Sequence, residues 1–252
     1  MLIRTHTVTK YLLSQFAPAG SLQVKSELTG QWSLAAPRDV GFLWLPEELI
    51  GESEIRWNST IESRFPHVID EVMAGRVLEN KKNIEVIKSL IALHFVRSKS
   101  FIVLLKQNAD LVYSNALVEL EKYYISPEIA RKRWNLETLK SLPTLLRDFE
   151  RKVQEYIDQH EIEIAVAPHR NRFIIGDSPV VNVSDDDKVG VLNGVAFKQS
   201  VGVFLPLTPW HIVALADKAH YKNYLNLSAN QVRAFNKLTK RQCISEYYAL
   251  GS

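Results

Sequence analysis

The hydrophobic pattern of the chain has a helical period up to about His160 and a strand period after it. Between Asn58 and His160, apolar residues recur at spacings of three and four, which indicates helices that bury one face. The spacing predicts a central helix over residues 81–106, further helices over 108–124 and 136–160, and a short helix that begins near Pro127. The stripe of the central helix consists of Ile84, Ile87, Ile91, His94, Ser98 and Phe101. The middle of the chain is therefore predicted to be a helical bundle.

Beyond His160 the pattern favours strands. Residues Glu161–Val166 alternate between apolar and polar, residues 168–171 have the composition of a turn, and residues 172–176 are apolar again. This arrangement predicts a β-hairpin. Further strands are predicted over 191–197, 201–205 and 211–216.

The two ends have weaker patterns. Residues 1–53 are predicted to be irregular, with a short helix over 9–16 followed by strands or loops. Near the other end, Ser228 and Gln231 form a capping-box signature, which predicts a helix that continues to about Tyr248.

These patterns predict one α+β domain over residues 1–252, in which a helical bundle packs on a small, mainly antiparallel sheet and a C-terminal helix closes the fold. Its parts are the irregular segment 1–53, the helical part 54–160, the sheet 161–217 and the C-terminal helical part 218–250. With 46% hydrophobic residues, the chain has enough apolar side chains for a packed core.

Composition narrows the possible partners and compartments. The chain has 31 basic and 28 acidic residues and a net charge of +3, too small by itself to indicate nucleic acid or an anionic membrane. Cys243 is the only cysteine, which excludes an intrachain disulfide and favours the cytoplasm. The longest apolar stretch, residues 90–105, is interrupted by His94, Arg97 and Lys99 and is shorter than the about 20 residues of a membrane span. The sequence therefore predicts a soluble protein.

Several motifs together resemble the domain of unknown function 4238 family over nearly the whole chain. They are His6, Tyr11-Leu12, Phe16-Ala17, Glu62, Ile91-Ala92-Leu93-His94-Phe95-Val96-Arg97-Ser98, Gly176-Asp177-Ser178-Pro179-Val180 and Leu205-Pro206-Leu207-Thr208-Pro209. The Asp177-Ser178-Pro179 and Pro206-Leu207-Thr208-Pro209 motifs are the most specific. The resemblance implies a mostly helical front, a small sheet behind it and a prokaryotic or fungal origin. It implies no activity.

Asp177 is the first candidate for chemistry, because its carboxylate follows the apolar run Phe173-Ile174-Ile175 at the edge of the core. It is interpreted either as a metal ligand or general base, or as an aspartate that accepts hydrogen bonds from the backbone of its own turn, next to Ser178. No cofactor is predicted, and a divalent metal at Asp177 stays open.

Arg97 and His6 are the other candidate catalytic residues. Arg97 is interpreted as a clamp for a phosphate or carboxylate, or as the partner of Asp177 or Glu62 in a buried ion pair. His6 is a candidate general base near the same cleft. His94 lies on the apolar stripe, where a hydrogen-bonded core histidine is the ordinary interpretation.

A basic stripe on the C-terminal helix offers a possible docking face. Its members are Arg233, Lys237, Lys240 and Arg241, at spacings of four, three and one. Contact with a nucleic-acid backbone is one interpretation, and a solvated helix face is the other.

Missing motifs argue against kinases, common ATPases, zincins and ordinary α/β-hydrolases. The sequence has no phosphate-binding loop, dinucleotide fingerprint, His-Glu-x-x-His or Gly-x-Ser-x-Gly motif. Two hypotheses remain: a phosphate-directed enzyme or nucleic-acid-acting effector with an Asp/Arg/His cleft, or a non-catalytic interaction or regulatory module, for example one associated with defence. Protein partners fit the second hypothesis.

Overall fold

The structure is a computed structural model that describes residues 2–120, 127–217 and 224–251. It is an α+β fold with mainly antiparallel sheets and a C-terminal helix, which confirms the predicted class. The helices are α1 (Lys10–Ser14), α2 (Glu47–Thr60), α3 (Phe65–Met73), α4 (Lys81–Val96), α5 (Lys99–Leu120), α6 (Pro127–Asp158) and α7 (Ala229–Gln242). The strands are β1 (Leu2–His6), β2 (Leu22–Ser26), β3 (Trp32–Ala35), β4 (Phe42–Pro46), β5 (Glu161–Val166), β6 (Ile175–Gly176), β7 (Val181–Val183), β8 (Gly202–Pro206), β9 (His211–Ala216), β10 (Leu225–Asn226) and β11 (Glu246–Ala249).

The predicted central helix is two helices, α4 and α5, that meet at Arg97 and Ser98. The break has a local cause, because the Ser98 hydroxyl oxygen accepts a hydrogen bond from the Phe101 N–H at 3.2 Å and so satisfies a free donor at the start of α5. The apolar stripe itself is confirmed, since Ile87, Ile91 and the rest of it except Ile84 are buried. The hydrophobic spacing therefore identified the buried face but not the break.

The three other predicted helices belong to only two helices of the structure, α5 and α6. The short helix at Pro127 and the long one over 136–160 are one helix, α6, which accommodates Pro143 in its interior. The helix predicted over 108–124 is the continuation of α5 to Leu120, and residues 121–124 lie outside the described residues.

The strands form three sheets in the described residues. β1 pairs with β4, the five-stranded sheet has the order β10-β5-β9-β8-β7, and the four-stranded sheet has the order β3-β2-β11-β6. All pairings are antiparallel except β10 with β5. The strands predicted over 201–205 and 211–216 are confirmed as β8 and β9.

The predicted hairpin is wrong, because its two strands belong to different sheets. β5 pairs with β9 and β10, whereas the short β6 pairs with β11 near the end of the chain. The strand predicted over 191–197 is also wrong. This segment makes two 3-10 turns, Val191–Asn193 and Phe197–Gln199, with Gly190 and Gly194 at positive φ.

Both ends of the chain contain more strand than predicted. Residues 1–53 were predicted to be irregular, but they contain four strands and the predicted short helix, α1. At the other end the capping box of Ser228 and Gln231 is confirmed, yet α7 ends at Gln242 and β11 follows it. β11 lies between β2 and β6, so the C-terminal strand joins the N-terminal segment to the middle of the chain.

One hydrophobic cluster extends through these parts. It includes Leu12 in α1, Trp57 in α2, Ile91 in α4, Ile175 in β6 and Leu205 in β8. The helices and sheets thus bury their apolar faces against one another, and the single-domain boundaries stay a prediction. Among the described residues, no helix has the length and apolar character needed to cross a membrane.

Candidate functional site

Three of the residues singled out in the sequence, His6, Glu62 and Arg97, line one polar cleft of about 550 Å³. The walls come from β1, α1, α2, the 3-10 turn Glu62–Arg64 and the residue after α4. The lining residues are Arg4, His6, Lys10, Tyr11, Ser14, Glu54, Asn58, Glu62 and Arg97. The elements that close this cleft are therefore far apart in the sequence.

Local spacing explains how these side chains reach the same space. Arg4 and His6 are two residues apart on β1, so they lie on the same face of the strand. Glu54 and Asn58 are four residues apart on α2, one turn above each other, and Glu62 follows four residues later in the 3-10 turn.

Arg97 is the buried cation of the cleft and binds two of its carboxylates. Its side chain is only 3% exposed, and its two terminal nitrogens bind two carboxylates: Nη1 donates to Glu62, and Nη2 donates to Glu54 Oε2 at 3.1 Å. The guanidinium also lies 5.4 Å from the ring centre of Trp57. The predicted pairing of Arg97 with Asp177 is therefore wrong, and the alternative pairing with Glu62 is confirmed. Because both terminal nitrogens are occupied, Arg97 does not offer a free two-pronged anion clamp.

Burial shifts the proton equilibria of two residues in the cleft. Desolvation raises the pKa of Glu54 above its usual range, the charge of Arg97 opposes that shift, and the neighbouring Glu62 carboxylate adds to it. Desolvation also lowers the pKa of His6 to about 4, assisted by the positive charges of Arg97 and Arg4 and opposed by a polar contact with the Val40 backbone. His6 is therefore a neutral imidazole near pH 7.

Three residues of the cleft each bury a polar atom that has no hydrogen-bond partner among the described residues. These atoms are His6 Nδ1, Glu54 Oε1 and Arg97 Nε. Buried polar atoms without partners are uncommon in folded proteins, and each one costs free energy. Three of the eight such atoms in the described residues belong to this one cleft, which makes it the candidate site.

Two further cations line the same cleft. Lys10 is exposed, and the side chain of Arg4 is 34% exposed. Arg4 stacks on Phe42 at 3.6 Å from the ring centre and lies 3.9 Å from Asp39, a distance that makes a weak, partly screened ion pair. Since the carboxylates of Glu54 and Glu62 already surround Arg97, Arg4 and Lys10 are the cations available to an anionic ligand.

Asp177 does not line this cleft. Its side chain is 3% exposed and its oxygens accept hydrogen bonds from the backbone N–H groups of Ile244, Ser245 and Glu246, at 3.0, 2.8 and 3.3 Å. The Ser245 hydroxyl donates a further bond at 2.8 Å, and Lys99 Nζ lies 3.8 Å away. These bonds use the capacity of the carboxylate, so the geometry fits an anchor for β11 and not a metal ligand or base.

Ser178 completes that anchor. Its hydroxyl oxygen accepts a hydrogen bond from the Ser100 N–H at 3.1 Å, and the Asp177 carbonyl accepts one from the Lys99 N–H at 3.4 Å. The Asp177-Ser178-Pro179 motif therefore connects the start of α5 to the start of β11.

His94 is a core residue, as the ordinary interpretation predicted. It is fully buried, its Nδ1 lies 2.9 Å from the Leu90 carbonyl, and its Nε2 accepts a bond from the Thr9 N–H at 3.4 Å. Because a backbone N–H can only donate, Nε2 must be the acceptor and Nδ1 must carry the proton. This neutral tautomer joins α4 to the cap of α1, and burial lowers the pKa of His94 to about 3.

The basic stripe on α7 is exposed at all four positions. Arg233 donates to the Asn230 side chain, Arg241 donates to the Asp187 carbonyl at 2.7 Å, and Lys240 lies 5.0 Å from the ring centre of Tyr247. These contacts occur within the chain itself. The nucleic-acid face formed by Arg233, Lys237, Lys240 and Arg241 stays a prediction.

The described residues contain no evident metal-binding site. In residues 2–120, 127–217 and 224–251, no group of three or more histidine, cysteine, aspartate or glutamate side chains is arranged to hold a metal ion.

Six cleft residues were not predicted as site residues from the sequence: Arg4, Lys10, Tyr11, Ser14, Glu54 and Asn58. Two patterns contained the information. Glu54, Asn58 and Glu62 recur every four residues, and Lys10 and Ser14 are four residues apart. Such polar stripes on helices are usually solvated surfaces, which is why spacing alone does not single them out.

Fold and site together define an α+β protein with a partly buried, charged cleft near its N-terminal strand. Residues 46–250 match the family model described as Protein of unknown function (DUF4238), and the chain belongs to this family. Glu54, Asn58, Glu62 and Arg97 lie inside the matched region, whereas the cleft residues from β1 and α1 precede it. No curated protein and no solved structure matches the chain.

Proposed function

We propose that this chain is a hydrolase of phosphate esters and that its active site is the cleft formed by β1, α1, α2 and the residue after α4. The observation that carries the proposal is the set of three buried atoms without partners, His6 Nδ1, Glu54 Oε1 and Arg97 Nε. A bound substrate and its attacking water would supply those partners. Each such atom lowers stability unless a ligand or a water pairs with it.

The preference for phosphate rests on the charges of the cleft. Arg97 balances the Glu62 carboxylate, Glu54 is taken as protonated in the proposed reaction, and Arg4 and Lys10 add two positive charges. In a partly buried cleft such cations attract an anionic group more strongly than they do in open solvent. A phosphate oxygen also accepts hydrogen bonds from both guanidinium and ammonium groups.

His6 and Glu54 have the properties of a base and an acid. In the proposed reaction His6 Nδ1 takes a proton from water, the water oxygen forms a bond to phosphorus, and the bond from phosphorus to the leaving oxygen breaks. The protonated Glu54 carboxyl gives its proton to that leaving oxygen. The products are an alcohol and a phosphate, and the proton on His6 returns to Glu54 through solvent.

The pKa values support this division of roles. The raised pKa of Glu54 favours the protonated form that an acid needs. The pKa of His6, about 4 in the free protein, makes it a deprotonated but weak base. A bound phosphate beside His6 would add negative charge and raise that pKa towards the range in which a base works well.

The test is hydrolysis of p-nitrophenyl phosphate and bis(p-nitrophenyl) phosphate, followed by release of p-nitrophenol. We expect His6→Gln and Glu54→Gln each to lower kcat/KM by about 100-fold or more, the usual contribution of a general acid or base. His169→Gln and Glu79→Gln are the matched controls, since both residues are exposed and outside the cleft. Inorganic phosphate should inhibit competitively.

The competing hypothesis is a non-catalytic interaction or regulatory module. It predicts no turnover of either ester and an effect of both variants on unfolding alone. Single-stranded oligonucleotides as additional substrates would distinguish a nucleic-acid-acting effector, in which the basic stripe on α7 also contributes to binding. The lone cysteine makes the reducing cytoplasm the compartment that we propose.

A further inference from the structure

A second cavity, of about 400 Å³, lies between α5, α6 and the segment 191–198, and it differs in character from the candidate active site. Its lining is almost entirely apolar, apart from two lysines. Cavities of this size hold small organic ligands in many proteins. Neither the proposed hydrolysis nor the anchor at Asp177 uses it.

Five aromatic side chains form a continuous arc along this cavity. Their ring centres are separated by 5.2 Å between Phe149 and Phe101, 5.6 Å between Phe101 and Phe95, 4.5 Å between Phe95 and Phe197, and 5.4 Å between Phe197 and Tyr156. Most of these contacts are edge to face, which fixes the ring orientations. The arc is therefore a preformed apolar surface and not a set of independent side chains.

The outer wall is the segment for which a strand was predicted. Val191, Val195 and Phe197 are buried, and the Asn182 side chain holds the segment by donating to the Val195 carbonyl at 3.0 Å and to Ser200 Oγ at 3.2 Å. The positive φ of Gly194, 81°, turns the chain so that the cavity stays open beside Ala196.

Two lysines place positive charge at the edge of the cavity. Lys152 comes from α6 and Lys198 from the second 3-10 turn, both are exposed, and neither forms an ion pair with a described residue. Lys152 lies 6.0 Å from the ring centre of Phe149, at the edge of the aromatic arc. An apolar cavity with cations at its edge is complementary to a ligand with an apolar body and an anionic head.

We propose that this cavity binds an amphipathic anion, with an aliphatic chain against the aromatic arc and a carboxylate or similar anionic head near Lys152 and Lys198. The apolar body supplies most of the affinity, because its binding removes apolar surface of both the ligand and the aromatic arc from water. The two lysines supply selectivity for the charged head. A neutral lipid of the same length is expected to bind less tightly.

The probe is dodecanoate, compared with its uncharged match dodecanol by isothermal titration calorimetry below the concentration at which dodecanoate forms micelles. We expect dodecanoate to bind about fivefold more tightly than dodecanol, the effect of two partly screened charge contacts. The double substitution Lys152→Gln and Lys198→Gln should remove that difference without changing the binding of dodecanol. Lys81→Gln with Lys82→Gln is the matched control, since both residues are exposed and outside this cavity.

A second variant tests the location. Ala196→Trp would place a large ring in the cavity from an exposed position, and it should abolish binding of both ligands while the unfolding transition stays intact. Equal affinity for dodecanoate and dodecanol in the unmodified chain would overturn the proposal. So would unchanged binding in Ala196→Trp, or a cavity covered by a second copy of the chain, detected as a dimer by light scattering that Ala196→Trp disrupts.

Discussion

The carboxylate of Asp177 accepts two hydrogen bonds from Ser245, one from its backbone N–H and one from its hydroxyl, both at 2.8 Å. The relationship is reinforced along the backbone, because the Asp177 N–H donates to the Glu246 carbonyl at 3.0 Å. Asp177 thus fixes the first residues of β11, the strand that joins the two ends of the chain. An aspartate so placed contributes to stability, and its location after an apolar run has a structural reason.

We expect Asp177→Asn to lower the free energy of unfolding by about 2–4 kcal/mol, because it removes charge-assisted hydrogen bonds and turns an amide donor towards backbone donors. Urea unfolding measures the change. Asp148→Asn, at an exposed position of α6, is the matched control and should change little. The folded fraction of Asp177→Asn should keep its phosphate-ester activity. Loss of activity with unchanged stability would restore Asp177 as a catalytic candidate.

Local signals in the sequence were sufficient for some parts of the fold. Ser228 and Gln231 cap α7 as their spacing predicts, because a capping box needs only residues within one turn. β6 is the opposite case. Its partner β11 lies about seventy residues away, and only two residues of β6 are paired, so no alternation identifies it.

The candidate site was also only partly predictable, because its residues are far apart in the sequence. His6, Glu62 and Arg97 were singled out individually, but the carboxylates that bind Arg97 lie 35 and 43 residues away from it. Segment 191–197 was misinterpreted because its valines and Phe197 alternate like a strand. Positive φ at Gly190 and Gly194 bends the backbone, and packing on α5 and α6 buries the same side chains without strand pairing.

Protonation of His94 should make the fold sensitive to acid. Its pKa is about 3 in the folded chain and 6.5 in the unfolded chain, so below about pH 6.5 only the unfolded chain takes up this proton. As the pH is lowered, the free energy of unfolding should therefore decrease, and His94 should contribute about 1 kcal/mol of that decrease per pH unit. Urea unfolding between about pH 7 and pH 5 should show a shallower slope for His94→Gln. His169→Gln, at an exposed residue, should keep the original slope.

Gly176 has no room for a side chain. A Cβ added at this position would overlap the Sγ atom of Cys243. We expect Gly176→Ala to lower the free energy of unfolding by about 1–3 kcal/mol, the cost of overpacking a core. The cost should be smaller when Cys243→Ala is also present, which thermal or urea unfolding of the four combinations would measure. Gly202→Ala is the control, since open space surrounds that position.

Removal of the Arg97 guanidinium should leave two carboxylates in a largely buried site without their shared cation. We expect Arg97→Met to lower the free energy of unfolding by about 3–5 kcal/mol near pH 7, the usual effect of breaking a buried ion pair. Arg38→Met is the matched control, because the Arg38 side chain is 74% exposed.

The pH dependence of Arg97→Met identifies the cause of that loss. Arg97 lowers the pKa of Glu54, so its removal should raise that pKa further above the value in the unfolded chain. A folded carboxyl with a raised pKa binds a proton that the unfolded chain has already lost, and the folded variant therefore gains relative stability as pH falls. The difference in unfolding free energy between Arg97→Met and the unmodified chain should shrink between about pH 7 and pH 5. When Glu54→Gln and Glu62→Gln are also present, the loss of unfolding free energy caused by Arg97→Met should be small at both pH values. A deficit that neither acid nor these substitutions reduce would mean that Arg97 stabilises the fold through its packing on Trp57 and not through its two carboxylates.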